Sequence, residues 1–177
     1  WFSAFLQTEC TLVRMAPQAL RLASKKWTGG ADAPTQFADG FPVLVVSQAS
    51  VNELNERLRQ AGDAPVVAER FRANIIVEGF QSHDEDRIES LSVQQGGPGS
   101  QQWADLPLVK PCARCPIPDI DPATAASGTS VTDTLQTYRH DERLDGAVTF
   151  GMNAYVPAGT GGILRVGDAV GGALQFD

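Results

Sequence analysis

Frequent glycine and proline residues are the sequence feature that most limits how this chain can fold. It contains 17 glycines and 11 prolines among 177 residues. Proline interrupts helices and glycine weakens them, so this composition favours many turns and short strands over long helices. The length suits one domain, or one domain with part of a second. Because such a chain buries about 70% of the surface that its unfolded form exposes, we expect a core that needs no disulfides.

The charge balance excludes several kinds of partner. The chain carries 14 Lys and Arg residues against 21 Asp and Glu, a net charge of −7. This acidity argues against nucleic acid and anionic membranes as partners, but it permits an anionic ligand held by a few arginines. The apolar runs are shorter than the ~20 residues that span a bilayer. Residues 1–6 are apolar and begin without Met or a basic region, so we expect a processed or truncated start rather than a signal peptide.

Hydrophobic periodicity predicts short strands. Apolar runs at residues 41–47, 74–77 and 106–110 are typical of buried strands, with Pro111 ending the third. Further strands are predicted at residues 11–15, 148–156 and 163–170. Between them, residues 27–40 predict a long loop, and residues 94–102 (QQGGPGSQQ) predict a flexible insertion.

Helices are predicted at three places. Residues 1–6 have helical spacing, a capping box at Ser50 and Glu53 begins a second helix that stops at Gly62, and residues 133–139 form a third. Several short strands around a few short helices predict an α+β, β-rich domain, an arrangement compatible with a barrel.

The pair Cys112 and Cys115 leaves several chemistries open. A C-x-x-C redox pair normally begins a helix, and the prolines that follow argue against one. A structural zinc site needs four ligands, and Cys10 and the two histidines lie at no recognisable spacing. Two buried thiols acting as small apolar side chains are a third interpretation. Arg114 between the cysteines argues against it, since a guanidinium favours the thiolate that ligates metals.

Six segments occur in a recognisable order along the chain. They are FRANIIVEG around Arg72, LVKPCARC ending at Cys115, IDPAT around Asp121, TLQTYR ending at Arg139, FGMN ending at Asn153, and VGD at 166–168. Their combination resembles a MOSC domain, in the branch of the mitochondrial amidoxime-reducing component and its bacterial YcbX-like relatives. The resemblance implies a MOSC-type β-barrel with a few short helices at residues 41–177. Residues 1–40 would be the end of an N-terminal MOSC-associated β-rich segment and a linker.

The resemblance also implies a site for the molybdenum–molybdopterin cofactor. Cys115 would be the metal ligand and the catalytic residue, and Arg72, Asn74, Arg114 and Asn153 would bind the cofactor. Planar guanidinium groups suit the phosphate of this anion. A thiolate is a soft, strongly donating ligand suited to molybdenum.

Other candidates follow from proximity to the matched segments. Lys110 and Arg139 could add cationic contacts. Asp39, Asp119 and Asp121 are candidate proton donors, although turn capping explains these aspartates better.

Four features fall outside the family pattern or its site. The family's DPxTG turn has Ala125 in place of glycine, and the insertion at residues 94–102 is extra. The family's N-terminal segment with further basic cofactor contacts is missing. The run at residues 83–86 (HDED) is interpreted as a solvated loop rather than a metal site.

The function implied by the resemblance is reduction of small N-hydroxylated compounds by oxygen-atom abstraction at molybdenum. Three cysteines cannot supply the four ligands of a 2Fe–2S module, so a separate reductase or ferredoxin would donate electrons. The alternatives are a non-redox cofactor-binding or sulfur-carrier module, and a degenerate MOSC domain without cofactor. Pyridoxal phosphate is associated only with the sulfurases of the superfamily and is not expected to bind here. We expect a bacterial, cytoplasmic protein that acts as a molybdenum-dependent oxidoreductase when full length.

Overall fold

A computed structural model describes residues 1–97 and 99–175 of the chain. These residues form helices α1 (Phe2–Leu6), α2 (Gln48–Ala61) and α3 (Ser130–Gln136). The strands are β1 (Arg21–Leu22), β2 (Pro34–Thr35), β3 (Val43–Ser47), β4 (Ile75–Val77), β5 (Ser90–Gln95), β6 (Gln102–Ala113), β7 (His140–Asp141), β8 (Ala147–Ala154) and β9 (Val170–Gly171). Short 3₁₀ turns lie at Ala68–Phe71, Asp84–Arg87, Ile117–Asp119 and Glu142–Leu144. Among the described residues, no helix is long and apolar enough to cross a bilayer.

One continuous sheet dominates the fold. Its strands follow the order β4–β3–β8–β6–β5–β9, and β7 pairs with β8 beside this path. The β3–β4 pair is parallel, whereas the other pairs of the path are antiparallel. The sheet curls into a nearly closed, barrel-like form. The predicted α+β, β-rich class and the barrel are therefore confirmed.

Two apolar clusters lie on opposite faces of the sheet. Every strand of the path contributes to the interior cluster, which includes Val45, Val77, Leu91, Leu108, Met152 and Val170. On the outer face, α2 and α3 pack against β3 and β8, with Val46, Leu54, Leu58, Leu135 and Phe150 among the buried residues. Burying each such side chain stabilises the fold by about 1.5–3 kcal/mol. Because β3 is covered on both faces, its sequence is continuously apolar rather than alternating.

The ladder between β6 and β8 has two register shifts, which flank Lys110 and Pro111. Gly151 lies beside the second shift with a φ of 77°, and a Cβ there would come within 2.7 Å of a β3 carbonyl oxygen. The shift turns β8 over, so that Phe150 faces α2 while Met152 faces the barrel interior. A side chain larger than hydrogen at position 151 is therefore excluded by both space and backbone conformation.

Two predicted boundaries are wrong for local reasons. Strand β6 continues past Pro111 to Ala113, because a proline is tolerated where a bulge already interrupts the ladder. Helix α2 begins at Gln48 rather than after Ser50, since the Ser47 hydroxyl accepts the Ser50 N–H at 3.2 Å. The predicted end at Gly62 is confirmed, with a left-handed φ of 87°.

Several other predictions are also wrong. Residues 11–15 are irregular, and so is most of 163–170, of which only Val170 joins a strand. Strand β5 was not predicted, although its sequence SLSVQQ alternates polar and apolar residues. Of the predicted flexible insertion at residues 94–102, the first two residues and the last belong to the ends of β5 and β6, which pair as a hairpin; Pro98 lies outside the described residues. Part of the predicted loop at 27–40 pairs as β2 with β1.

Candidate cofactor site

Arg72 is presented by a tight turn that precedes β4. The 3₁₀ turn Ala68–Phe71 ends at Arg72, which has a left-handed φ of 56° and donates its N–H to the Glu69 carbonyl at 3.0 Å. Its side chain is exposed. Within residues 1–97 and 99–175, its guanidinium has no hydrogen bond or ion pair. Its donors are therefore available to a ligand.

Asn74 and Asn153 lie on either side of β3. Asn74 binds the backbone of Leu44 twice, since its Oδ1 accepts the Leu44 N–H at 2.8 Å and its own N–H donates to the Leu44 carbonyl at 2.9 Å. Asn153 is the β8 residue paired with Leu44. Its Nδ2 donates to the Lys110 and Pro111 carbonyls at 3.2 and 3.4 Å, inside the shifted part of the β6–β8 ladder. Both amides thus support the local backbone, while Asn74 Nδ2 and Asn153 Oδ1 have no hydrogen bond within the described part of the chain.

Arg114 connects the end of β6 to the turn before Arg72. Its Nη1 lies 3.1 Å from the Cys112 sulfur, and its Nη2 donates to the Phe71 carbonyl at 3.2 Å. The guanidinium also lies 5.4 Å from the centre of the Phe71 ring. Its Nε is buried without a partner among the described residues.

The two cysteines of the C-x-x-C motif have different surroundings. Cys112 is half-buried in β6 and packs against the apolar cluster under α2. Cys115 lies beyond the end of β6, with its side chain exposed. Cys112 is therefore occupied by internal contacts, while Cys115 presents an accessible thiol. We call Arg72, Arg114 and Cys115 the exposed cluster.

The remaining candidates have internal partners. Lys110 lies 5.7 Å from the Trp27 ring. Arg139 donates to the Thr149 carbonyl at 3.1 Å and to Asp86 at 2.6 Å. Its side chain is 11% exposed, which leaves little of it for a ligand.

The three candidate aspartates all lie in turns. Asp119 accepts the N–H groups of Val131 and Thr132 at 3.0 and 3.1 Å and so caps α3 from a distance in sequence. Asp121 accepts N–H groups within its own turn, and Asp39 offers its backbone carbonyl to Arg21. The turn-capping interpretation accounts for the carboxylates of Asp119 and Asp121.

A second polar group of residues was not predicted. The interpretation of residues 83–86 as a solvated loop is wrong, since Glu85 is fully buried and the His83 and Asp86 side chains are each 16% exposed. Glu85 accepts the Ser47 N–H at 3.1 Å and the Ser50 hydroxyl at 2.7 Å. We call Glu53, His83, Glu85, Asp86 and Arg139 the buried cluster. Its charge-rich sequence gave no signal of burial.

Burial shifts the protonation of these groups. Desolvation, followed by the Arg139 charge, lowers the pKa of His83 from its ordinary 6.5 to about 4. Desolvation also raises the pKa of Glu85, against the hydrogen bonds from Ser47 and Ser50. Burial raises the pKa of Tyr138, whose ring lies 5.8 Å from His83, to about 12. The imidazole is thus neutral at pH 7.

The fold and the exposed cluster define a β-rich, barrel-like domain with an accessible thiol and arginines at the end of β6. More specifically, the chain belongs to the MOSC domain family, whose model matches residues 32–171. The predicted family is confirmed.

Curated relatives include proteins of two kinds. Mitochondrial amidoxime-reducing component 1 of Mus musculus is 30% identical over 178 residues, which cover 96% of this chain and 48% of that protein. Mitochondrial amidoxime reducing component 2 of Homo sapiens is 31% identical over 179 residues, with 96% and 49% covered. Molybdenum cofactor sulfurase of Aspergillus terreus is 29% identical over 214 residues, with 96% and 25% covered. The chain therefore spans half or less of these relatives' length.

Proposed function

We propose that this chain binds the molybdenum cofactor and belongs to an oxidoreductase that reduces N-hydroxylated compounds. The observation that carries the proposal is that the exposed thiol of Cys115 directly follows Arg114, whose guanidinium contacts the turn that holds Arg72. Arg114 Nη2 donates to the Phe71 carbonyl at 3.2 Å, and the next residue, Arg72, has no side-chain hydrogen bond or ion pair among the described residues. Family membership and the similarity to amidoxime-reducing components support the same function.

The residues of the exposed cluster suit this cofactor chemically. A thiolate is a soft donor for a transition metal, and Cys115 is an accessible thiol. The cofactor's phosphate needs cationic donors in a protein with a net charge of −7. Arg72 offers an unoccupied guanidinium, which binds phosphate through paired hydrogen bonds.

Each candidate site residue would have a distinct role. Cys115 Sγ would be the protein's ligand to the metal, and Arg72 would bind and orient the phosphate. Asn74 Nδ2 and Asn153 Oδ1 would add polar contacts from either side of β3, while Arg114 would contribute positive charge. When bound, the cofactor supplies the two-electron oxygen-atom abstraction that reduces the substrate.

The electrons would come from a separate reductase or ferredoxin, and the substrate would be a small N-oxygenated molecule. The chain spans about half of the amidoxime-reducing components it matches. Electron transfer from this partner and reduction of the substrate are therefore proposed for the full-length protein. Cytoplasmic localisation remains a prediction.

The decisive experiment measures molybdenum in the purified full-length protein, produced with ample molybdate and intact cofactor synthesis. We expect close to one molybdenum per chain in the wild type and a large loss in Cys115→Ala. Cys10→Ala is the matched control, because Cys10 is a thiol in the N-terminal segment, bonded to Ser3. Absence of molybdenum from the wild type would falsify the proposal and favour a degenerate domain. Unchanged molybdenum in Cys115→Ala would refute the ligand assignment.

A sulfur-carrier role is the second candidate, since molybdenum cofactor sulfurase is among the relatives. The exposed Cys115 thiol could hold a persulfide, whereas Cys112 is engaged with Arg114. Turnover of a hydroxylamine or amidoxime with an artificial reductant separates the two roles. Turnover supports the reductase. A mass increase of one sulfur atom on Cys115, without turnover, supports the carrier.

A further inference from the structure

Two irregular segments carry the proposed ligands, and an arginine side chain of each segment donates hydrogen bonds to the other segment. The first is the turn at 68–74, which holds Arg72, and the second is the loop at 114–121, which holds Cys115. From the loop, Arg114 Nη2 donates to the Phe71 carbonyl at 3.2 Å. From the turn, Arg70 donates hydrogen bonds to the loop.

Arg70 makes two directed contacts with the loop. Its Nη1 donates to the Pro118 carbonyl at 3.2 Å, and its Nη2 donates to Asp121 Oδ2 at 3.1 Å. Two acceptors on one planar guanidinium fix its orientation as well as its position. The side chain of Arg70 is 15% exposed, so solvent weakens this ion pair less than an ordinary surface pair.

The loop side of the contact is itself held in place. Asp121 Oδ1 accepts the N–H groups of Ala123 and Thr124 at 2.8 and 3.0 Å, and this leaves Oδ2 directed at Arg70. These backbone hydrogen bonds, with a smaller effect of Arg70, also lower the pKa of Asp121. The carboxylate therefore presents a fixed, charged acceptor.

We propose that Arg70 is a positioning residue, which with Arg114 forms a reciprocal clamp that sets the spacing between Arg72 and Cys115. The inference rests on the proposed function, because the spacing matters when both residues bind one ligand. The two segments are 3₁₀ turns and irregular chain that pair with neither each other nor a common strand in the described sheet. Each segment is anchored to a different strand, Asn74 to β3 and the Arg114 N–H to β8. Side-chain contacts between the segments can therefore set the spacing of the parts beyond these anchors, and small displacements of binding groups are costly.

The test compares Arg70→Gln and Asp121→Asn with the control Arg59→Gln in the full-length protein. Arg59 is a half-exposed arginine of α2 that pairs with Glu56. Asp121→Asn keeps an oxygen for the turn and removes the charge that faces Arg70. We expect both variants to lose molybdenum about tenfold faster than the wild type, well below the unfolding temperature, and the double variant to be no faster. Arg70→Lys should restore part of the retention, and the control should match the wild type.

Wild-type retention in Arg70→Gln, or effects of Arg70→Gln and Asp121→Asn that multiply, would overturn the clamp. Hydrogen exchange on the cofactor-free protein gives an independent reading. Faster exchange in both 68–74 and 114–121 in Arg70→Gln, but not in Arg59→Gln, supports the clamp, and exchange confined to one segment contradicts it. If the wild type holds no molybdenum, the proposed function fails, and hydrogen exchange alone decides on the clamp.

Discussion

The exposed cluster and the buried cluster both contain charged or ionisable side chains, but these side chains differ in whether they have partners within the protein. They meet across two stacked rings, Phe71 and Phe150, whose centres are 4.2 Å apart. Arg114 lies over Phe71 on one side, and His83 contacts Phe150 on the other. In the exposed cluster, the Arg72 guanidinium and the Cys115 thiol are exposed and have no side-chain partner among the described residues.

In the buried cluster, Arg139, Asp86 and Glu85 have partners within the protein, while Asp86 Oδ1 and both His83 ring nitrogens are buried without a hydrogen bond among the described residues. Asp86 pairs with Arg139, and Glu85 is bonded by Ser47 and Ser50. The difference teaches that charge available to a ligand, rather than charge alone, marks a candidate site. Variants of the buried cluster should therefore change stability, and variants of the exposed cluster should change ligand binding.

The largest expected change in stability is that of Glu85→Ala. Glu85 is fully buried, and its removal leaves the Ser47 N–H and the Ser50 hydroxyl without their acceptor. We expect a loss of about 3 kcal/mol in the free energy of unfolding, measured by urea denaturation. Glu142→Ala, at an exposed position, should stay within about 0.5 kcal/mol of the wild type. A small loss for Glu85→Ala would show that the buried cluster does not support the fold.

The second prediction concerns the pH dependence of stability. The folded-state pKa of His83 is about 4, below its ordinary value of 6.5, so the unfolded chain takes up a proton first as the pH falls. Stability should therefore decrease between pH 6.5 and pH 4, with His83 contributing about 2 kcal/mol after allowance for partial exposure. Urea midpoints at several pH values measure this slope.

The comparison of His83→Gln with His140→Gln isolates the contribution. His140 is exposed and serves as the control, while His83→Gln should flatten the slope of stability against pH. Equal slopes in the wild type and His83→Gln would show that the imidazole is not buried as described.

Sequence patterns predicted the parts of this fold that depend on local or repetitive signals. Three features could be predicted because each depends only on neighbouring residues. They are the apolar run of β3, the end of α2 at Gly62 and the family motifs. The Phe150–Met152 switch of faces was not, since it arises from a register shift against another strand at Gly151. Burial of Glu85 depends on Ser47 and Ser50, far away in sequence, and so a charged run gave the opposite expectation.

The candidate site was predicted in the same uneven way. The motif resemblance named Cys115 and Arg72, and the structure brings their segments together through Arg114. The motifs could not reveal that Arg70 contacts Pro118 and Asp121, because this contact joins residues about fifty positions apart. The roles of the named residues in cofactor binding stay predictions.

The third prediction tests the exposed side of the comparison with Arg72→Gln. The guanidinium is exposed and without a partner among the described residues, so its loss should leave the unfolding temperature unchanged. We expect about tenfold weaker cofactor retention, equivalent to about 1.4 kcal/mol, measured as the rate of molybdenum loss. Arg14→Gln is the control at another exposed position. A clear drop in unfolding temperature in Arg72→Gln would instead assign this residue to the scaffold.

The smallest expected effect concerns Ala125, in the turn that orients Asp121. Ala125 has a φ of 59° and donates its N–H to the Asp121 carbonyl at 2.8 Å. A left-handed alanine costs about 1 kcal/mol that glycine avoids, although glycine also gains entropy in the unfolded chain. We therefore expect Ala125→Gly to stabilise the protein by about 0.5 kcal/mol, which urea denaturation can measure.

The neighbouring Ala126→Gly provides the matched control for that prediction. Ala126 is equally exposed but is not among the residues with positive φ. There, glycine adds only unfolded-state entropy and should destabilise the protein by about 0.5 kcal/mol. Opposite signs for the two variants would locate backbone strain at Ala125, in the turn that orients Asp121. Destabilisation by both variants would mean that Ala125 adopts its left-handed conformation without backbone strain. The clamp from Arg70 would then act on an unstrained turn.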